Sequence, residues 1–379
     1  MPDRVRVGVL GLGTVAQAVH LPLIDRLADR FSIAAVADLS PTLVHAIGGR
    51  YRVPRANRCP TLEALLGVAG LDALLILTSG SHGDAILAGL DRRVAVFTEK
   101  PLAWTLADAD AIAARMAADP SGKLLLGYMK LYDPAVSRAL AIATEPGRFG
   151  EIRSIEVSVL HPTSERQLAH ARLLPAPTDV AARTIDGIQR LGDRLRSIAL
   201  GSGASAFGVL YSDIVLGSIV HDLALIRAFA GDPTAVDDVD VWPDGLWPPS
   251  VSVLGRLGGR ARFDIRWHFL PDYPAYREGI RVVGEAATIE LEFPSPYLLH
   301  APTELRVTEL RDGGRGELGY RFIAEAFEQE LLAFHALVVD GTVPKAGLAE
   351  GRADILTSQR IIARHAAQSG VAIGGEAAN

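Results

Sequence analysis

The run Val5-Arg6-Val7-Gly8-Val9-Leu10 leads without a break into Gly11-Leu12-Gly13-Thr14-Val15-Ala16, and no other stretch restricts the fold as tightly. A G-x-G-x-x-G/A turn between a buried strand and a helix is the phosphate-binding turn of a dinucleotide-binding βαβ unit. Gly11 permits the tight turn, Gly13 lets the backbone approach a pyrophosphate, and Ala16 is small enough for the helix to pack on the strand. Thr14 and Val15 open the helix, where free N–H groups and the helix dipole favour negative charge. A second apolar run, Ile33-Ala34-Ala35-Val36-Ala37, ends in Asp38, 22 positions beyond Ala16. That is the spacing of the acid that accepts from an adenosine ribose 2′-hydroxyl and repels a 2′-phosphate, so NAD is favoured over NADP. Asp38-Leu39-Ser40-Pro41 also reads as a helix start, with Ser40 as N-cap and Pro41 in the first helical position.

Val96-Phe97-Thr98-Glu99-Lys100-Pro101-Leu102 places a lysine just past another apolar strand. Open α/β sheets bind ligands outside the carboxyl ends of their strands, which makes Lys100 the first candidate for chemistry. Strands and helices alternate through about residue 128, the pattern of parallel βαβ units. Ser81 and Asp84, and again Thr105 and Asp108, form capping-box patterns at helix starts.

With 379 residues the chain is too long for one ordinary core, and two domains are expected: a dinucleotide-binding domain over 1–128 and a substrate-binding and oligomerisation domain over 129–379. In the second part, 152–160 and 251–270 alternate like strands of an antiparallel or mixed sheet, and 280–293 gives two more around Gly284. An apolar helical run over 213–230 stops at Gly231-Asp232-Pro233. Helical patterns follow over 320–339 and 349–368, before a Gly/Ala tail expected to fray. The formal charge of −6 and pI near 5.9 argue against a nucleic-acid surface. Cys59 is the sole cysteine, which excludes an intrachain disulfide and a multi-cysteine metal site, and no metal is expected. The N-terminal apolar run lacks a signal-peptide pattern, and no stretch approaches 18 apolar residues without polar breaks, so a cytoplasmic protein with no membrane span is expected.

Taken together, these motifs resemble the glucose–fructose oxidoreductase / inositol dehydrogenase / MocA (Gfo/Idh/MocA) group of NAD(P)-dependent oxidoreductases. The resemblance rests on the Gly11-Leu12-Gly13 turn with His20 and Pro22, on Thr78 and His82 in the loop after a strand, and on Glu99-Lys100-Pro101. It extends through Gly127-Tyr128-Met129-Lys130-Leu131-Tyr132-Asp133-Pro134, Gly150-Glu151-Ile152 and His221-Asp222. It implies an N-terminal Rossmann doubly wound parallel sheet, a C-terminal α/β domain with a large open, mainly antiparallel sheet, and nicotinamide redox chemistry on sugars or cyclic polyols. It also implies a homodimer or homotetramer.

Within that resemblance Lys100 and His221 are the candidate catalytic residues, and Thr78, His82, Glu99 and Lys100 join the glycine turn and Asp38 as candidate cofactor contacts. Lys100 as an ammonium would orient the reacting oxygen and stabilise alkoxide character, while His221 would accept the hydroxyl proton. Lys130, Asp133, His161 and Arg166 are candidate substrate residues, and Trp267, Tyr273 and Tyr276 could stack on a sugar face. Over 161–205 six arginines face four acids, a slight excess that would suit an anionic substrate group. Two departures stand out: Ser79 replaces the family's usual proline, and Gly217 occupies the place, four residues before His221, where the family commonly carries an aspartate. An i, i+4 aspartate would share a helix face with the imidazole and raise its pKa. Asp213 would share that face too, but about 12 Å along the axis. Three classes of function fit: a sugar or polyol dehydrogenase or reductase, a lyase or hydrolase using NAD transiently on a sugar, and a non-catalytic sensor.

Overall fold

The structure, a computed structural model, describes residues 4–378. The apolar runs of the first third become β1 (Val5–Leu10), β2 (Phe31–Ala37), β3 (Arg58–Cys59), β4 (Ala73–Ile76), β5 (Ala95–Glu99) and β6 (Leu124–Gly127). They pair in parallel in the order β3-β2-β1-β4-β5-β6. Helices cover both faces of such a sheet, so its strands are apolar along their whole length, and every residue of β4 and β6 is buried. The order reverses between β1 and β4, which opens a crevice at their carboxyl ends.

The second sheet has eight strands: β7 (Ile152–His161), β8 (Ala235–Trp242), β9 (Ser250–Arg256), β10 (Arg262–Phe269), β11 (Arg277–Gly284), β12 (Ala287–Phe293), β13 (Glu304–Arg311) and β14 (Gly314–Arg321). Their order is β14-β13-β12-β11-β7-β10-β9-β8, and the β7–β10 pair is its parallel step. Period-2 patterning sets its two faces: Phe263, Ile265 and Trp267 of β10 point into the core while Arg262 and Arg266 point out. The outer face carries cross-strand pairs such as Arg281–Glu290 at 3.5 Å and Arg306–Glu317 at 2.9 Å. Such exposed pairs contribute little stability each.

Several local expectations change. The helix expected from Tyr320 begins at Ala326, because Leu318, Tyr320 and Phe322 alternate as strand residues and Tyr320 pairs with Leu305 of β13. The Ser81 hydroxyl caps no helix; it accepts from the Trp104 N–H at 3.2 Å, and His82 holds the N-cap position without a side-chain bond. Thr105 does cap, accepting from Asp108 N. The polar 161–205 segment contains a 19-residue helix, Ala182–Leu200. With the helices after it this forms the run Ala182–Ala230, long and apolar enough to cross a membrane, although 72% of its most apolar window is buried inside the protein, as in a core helix. The Gly/Ala tail is tied down: Glu376 accepts from Leu106 N at 2.7 Å and Ala107 N at 2.9 Å, and Gln359 donates to it at 2.6 Å. A carboxylate there answers the free donors and dipole of the Leu106–Ala118 helix.

The last long helices, Ala326–Asp340 and Leu348–Gln368, pack on the first sheet, against β1 and β6 respectively. Gly351 makes the second contact possible, since a Cβ there would lie 2.6 Å from the Leu102 Cβ. One turn further along, the buried Asp354 carboxylate accepts from Tyr128 at the end of β6 and from Arg227 on the Val220–Ala230 helix. This clamp joins three segments that are far apart in sequence. Removing one partner of a buried ion pair strands the other, and Arg227 keeps only Asp232, at 2.5 Å. Asp354→Ala is therefore expected to lower unfolding free energy by about 3 kcal/mol in denaturant titrations; a loss under about 1 kcal/mol would show that the clamp does not hold these segments together.

Candidate active site

At the switch between β1 and β4 the glycine turn is held by its neighbours. Gly11 has φ +89°, and a Cβ on it would sit 2.8 Å from the backbone of Leu77 and Thr78. Gly13 is exposed, with open space where its side chain would be, and Thr14 and Val15 are partly open beside it. Asp38 is held by two backbone donors: Oδ2 accepts from Leu12 N at 2.7 Å and Oδ1 from Ser40 N at 2.9 Å. Ser40 meanwhile caps the Pro41–Arg50 helix through Leu43 N. A groove of about 400 Å³ opens beside Asp38, lined also by Val44, His45, Arg55, Arg58 and Pro60. An accessible glycine turn, free N–H groups at a helix start and an acid beside an open groove fit a dinucleotide.

The chain brings Lys100, Lys130, His161 and His221 together at the carboxyl end of β5. Lys100 and His221 are both partly open to this cleft. Lys100 donates from Nζ to the Gly217 carbonyl. Gly217 lies close to a change of helix pitch: Leu210–Ile219 is wound as a π-helix and Val220–Ala230 as an α-helix. Passing from i−5 to i−4 bonding leaves one carbonyl without an intrahelical donor. The same change of winding moves Asp213 off the expected face, and it is exposed, accepting from the Ser212 hydroxyl at 2.6 Å.

Electrostatics separates the two candidate catalytic groups. Burial, opposed by Glu99 and aided by Lys130, pulls the Lys100 ammonium down to about 8. Burial, followed by the charges of Lys100 and Lys130, pushes His221 well below the ordinary histidine range, so its imidazole is neutral. Its Nδ1 is buried without a partner, and the ring edge meets Tyr128 at 5.9 Å between centroids. Glu99 lies behind Lys100: its Oε1 meets His20 Nε2 at 2.7 Å and its Oε2 accepts from Lys100 N at 3.3 Å.

The other candidates have partners within the protein. The His82 ring is 1% exposed, with Nδ1 2.8 Å from the Glu99 carbonyl and Nε2 2.8 Å from the Thr78 carbonyl, so it stitches the loop after β4 to the end of β5. Asp133 caps the Pro134–Ala143 helix and accepts from Thr303 at 2.5 Å. Arg166 is exposed and pairs with Asp272 at 3.3 Å. His161 lies among Trp267 (5.1 Å) and Tyr276 (5.7 Å), partly accessible, and its Nδ1 donates to the Pro162 carbonyl at 2.8 Å.

Sequence reasoning missed the carboxylates beneath the cleft. Glu278 of β11 pairs with the Lys130 ammonium and takes the Tyr276 hydroxyl. Asp222 faces the same Glu278, and burial together with that charge raises its carboxyl far above the usual range. One ammonium neutralises one carboxylate, so Asp222 keeps its proton. No local pattern announces Glu278, because it reads as one more polar position at the head of a strand.

The model of the oxidoreductase family with an NAD-binding Rossmann fold, GFO_IDH_MocA, matches residues 5–128. Inositol 2-dehydrogenase of Acidothermus cellulolyticus is 31% identical over 305 residues, 80% of this chain and 77% of that protein. Inositol 2-dehydrogenase 3 of Saccharopolyspora erythraea is 25% identical over 338 residues, 89% of this chain and 86% of its own length. Among solved structures, aldose-aldose oxidoreductase from Caulobacter crescentus superposes with a TM-score of 0.70 at 18% identity, covering 97% of this chain and 98% of that one. A putative myo-inositol dehydrogenase from Sinorhizobium meliloti gives 0.67 at 21% identity, covering 96% and 98%. With the glycine turn, the Glu99-Lys100-Pro101 segment and both sheets in place, the chain belongs to the Gfo/Idh/MocA family of oxidoreductases.

Proposed function

We propose that this enzyme moves a hydride between a secondary alcohol of a neutral cyclic polyol or sugar and the nicotinamide of NAD. The observation that carries the reading is the pairing of an ammonium, Lys100, with a neutral imidazole, His221, in one cleft at the carboxyl edge of the first sheet. When bound, the nicotinamide supplies the hydride acceptor or donor. An ammonium has three N–H donors, and Lys100 uses one on Gly217, leaving others for the reacting oxygen. Its charge stabilises alkoxide character in a site shielded from water. His221, neutral at working pH, accepts the hydroxyl proton in oxidation and returns it in reduction. Without an aspartate at position 217 it has no nearby carboxylate to hold it protonated, which suits a base.

The aspartate at the end of β2 supports NAD over NADP. A neutral substrate is favoured because Lys130 is already committed to Glu278 and Arg166 to Asp272. His161, partly accessible, offers ring surface to the face of a polyol ring, while Trp267, expected to stack on a sugar, is buried behind it with Nε1 donating to the Ser218 hydroxyl at 2.9 Å. The curated relatives named inositol 2-dehydrogenase agree with such a substrate.

Purified enzyme is expected to bind NAD and to raise the reduced-nicotinamide absorbance with at least one inositol or sugar in a panel. Lys100→Met should lower kcat by about 10²-fold or more while NAD still binds. Absence of dinucleotide binding would sink the proposal, and bound NAD without net reduction on any polyol would favour transient use of the cofactor. The kcat/KM profile should decline above pH 8 as the Lys100 ammonium loses its proton; in Lys100→Arg that alkaline limb should disappear, and a limb that persists would assign it to another group. Gly217→Asp has room, its Cβ meeting only the Ser212 carbonyl at 3.4 Å. The added carboxylate should raise the His221 pKa by about one unit and carry the acid limb of the profile upward; an unmoved limb would show that His221 is not the base.

A further inference from the structure

Residues 169–181 join the Ser164–Leu168 and Ala182–Leu200 helices without regular structure of their own, yet they are tied down at three points. The His170 ring donates from Nε2 to the Tyr297 carbonyl at 2.9 Å. Leu174 N donates to Gln17 Oε1 at 2.9 Å, and the same amide donates from Nε2 to the Leu12 carbonyl in the glycine turn at 2.7 Å. Asp179 ends the strap: Oδ1 accepts from the Ser40 hydroxyl at 2.6 Å and Oδ2 from Thr42 N at 2.8 Å. The strap thus passes from the second sheet's side, over the glycine turn, to the carboxyl end of β2.

The last tie bears on recognition. Ser40 and the first turn of the Pro41–Arg50 helix stand immediately after Asp38, so a hydroxyl and a helix-start N–H form an anion seat beside the ribose position. The adjoining groove also carries Arg55 and Arg58, the residue type that accommodates a 2′-phosphate in dinucleotide folds. Left open, this corner would welcome NADP despite Asp38. The chain fills it with its own carboxylate, and the two donors hold Asp179 ionised, with its pKa lowered to about 2.

Building on the dinucleotide-binding reading, we propose that Asp179 is a specificity-determining residue, a resident anion that occupies the Ser40–Thr42 seat and excludes the 2′-phosphate of NADP. Its charge repels the phosphate and its oxygens use the donors the phosphate would need. Asp38 disfavours NADP from the sheet, and Asp179 does so from a segment 139 residues away from Ser40.

The test is titration calorimetry of NAD and NADP with the full chain as wild type, Asp179→Ala and Asp179→Asn. Both variants are expected to bind NAD within about threefold of wild type and NADP on the order of tenfold more tightly, the Asn variant because the charge is gone while an acceptor oxygen remains for Ser40. NAD binding in the variants doubles as proof that they fold. An unchanged NADP-to-NAD ratio with NAD still bound would overturn the role of Asp179. Parallel weakening of both dinucleotides would also overturn it, making Asp179 an anchor of the strap alone. Failure of the wild type to bind either dinucleotide would instead remove the underlying reading, a result distinguishable from both.

Discussion

The Asp354 clamp is the interaction on which the arrangement of the site depends. A helix from the end of the chain lies on the first sheet, and its one buried carboxylate reaches both Tyr128 and Arg227. Arg227 sits on the same helix as His221, and Tyr128 touches the His221 ring. The imidazole is therefore positioned against Lys100 by a group more than 120 residues downstream of it. Burial raises Asp354 to about 6 even with an arginine beside it. Desolvation thus offsets much of the Coulomb gain, so the clamp's contribution is positional: its partners would be stranded in any other arrangement.

The cleft follows one electrostatic rule, that each buried charge has a single answering charge and surplus groups go neutral. Lys130 answers Glu278, and Asp222, left over, holds its proton. Glu99 stands between His20 and Lys100, and beyond it Glu330 is fully buried with its carboxyl pushed well above the ordinary range, first by burial and then by the Glu99 charge. His221, facing two ammonium groups, is neutral. In this setting Gly217 sets no carboxylate beside the imidazole, and its backbone carbonyl receives the Lys100 ammonium.

Much of this was legible in the sequence where the signal is local. The glycine turn, the Ser40 cap, the Lys100 strand end and the paired strands around Gly284 each depend on residues within about ten positions of one another, and Asp38 on a spacing fixed by one βαβ unit. The misreadings share a cause. Tyr320 looked helical because a strand's alternation runs directly into a helix, and Ser81 looked like a cap because the pattern cannot show that Trp104 N claims its hydroxyl. Asp213 was placed by a 3.6-residue period that a π-helical stretch does not follow.

By itself, then, the sequence determined the dinucleotide turn and the sheet types, since backbone preference and hydrophobic period act over short stretches. Only the tertiary structure decided which groups carry charge and which positions they hold. Glu278 meets Lys130 across 148 residues, Asp179 meets Ser40 across 139 and Asp354 meets Arg227 across 127. Burial and pairing are properties of the packed chain, and protonation follows from them, so no local reading of the residues could have supplied it.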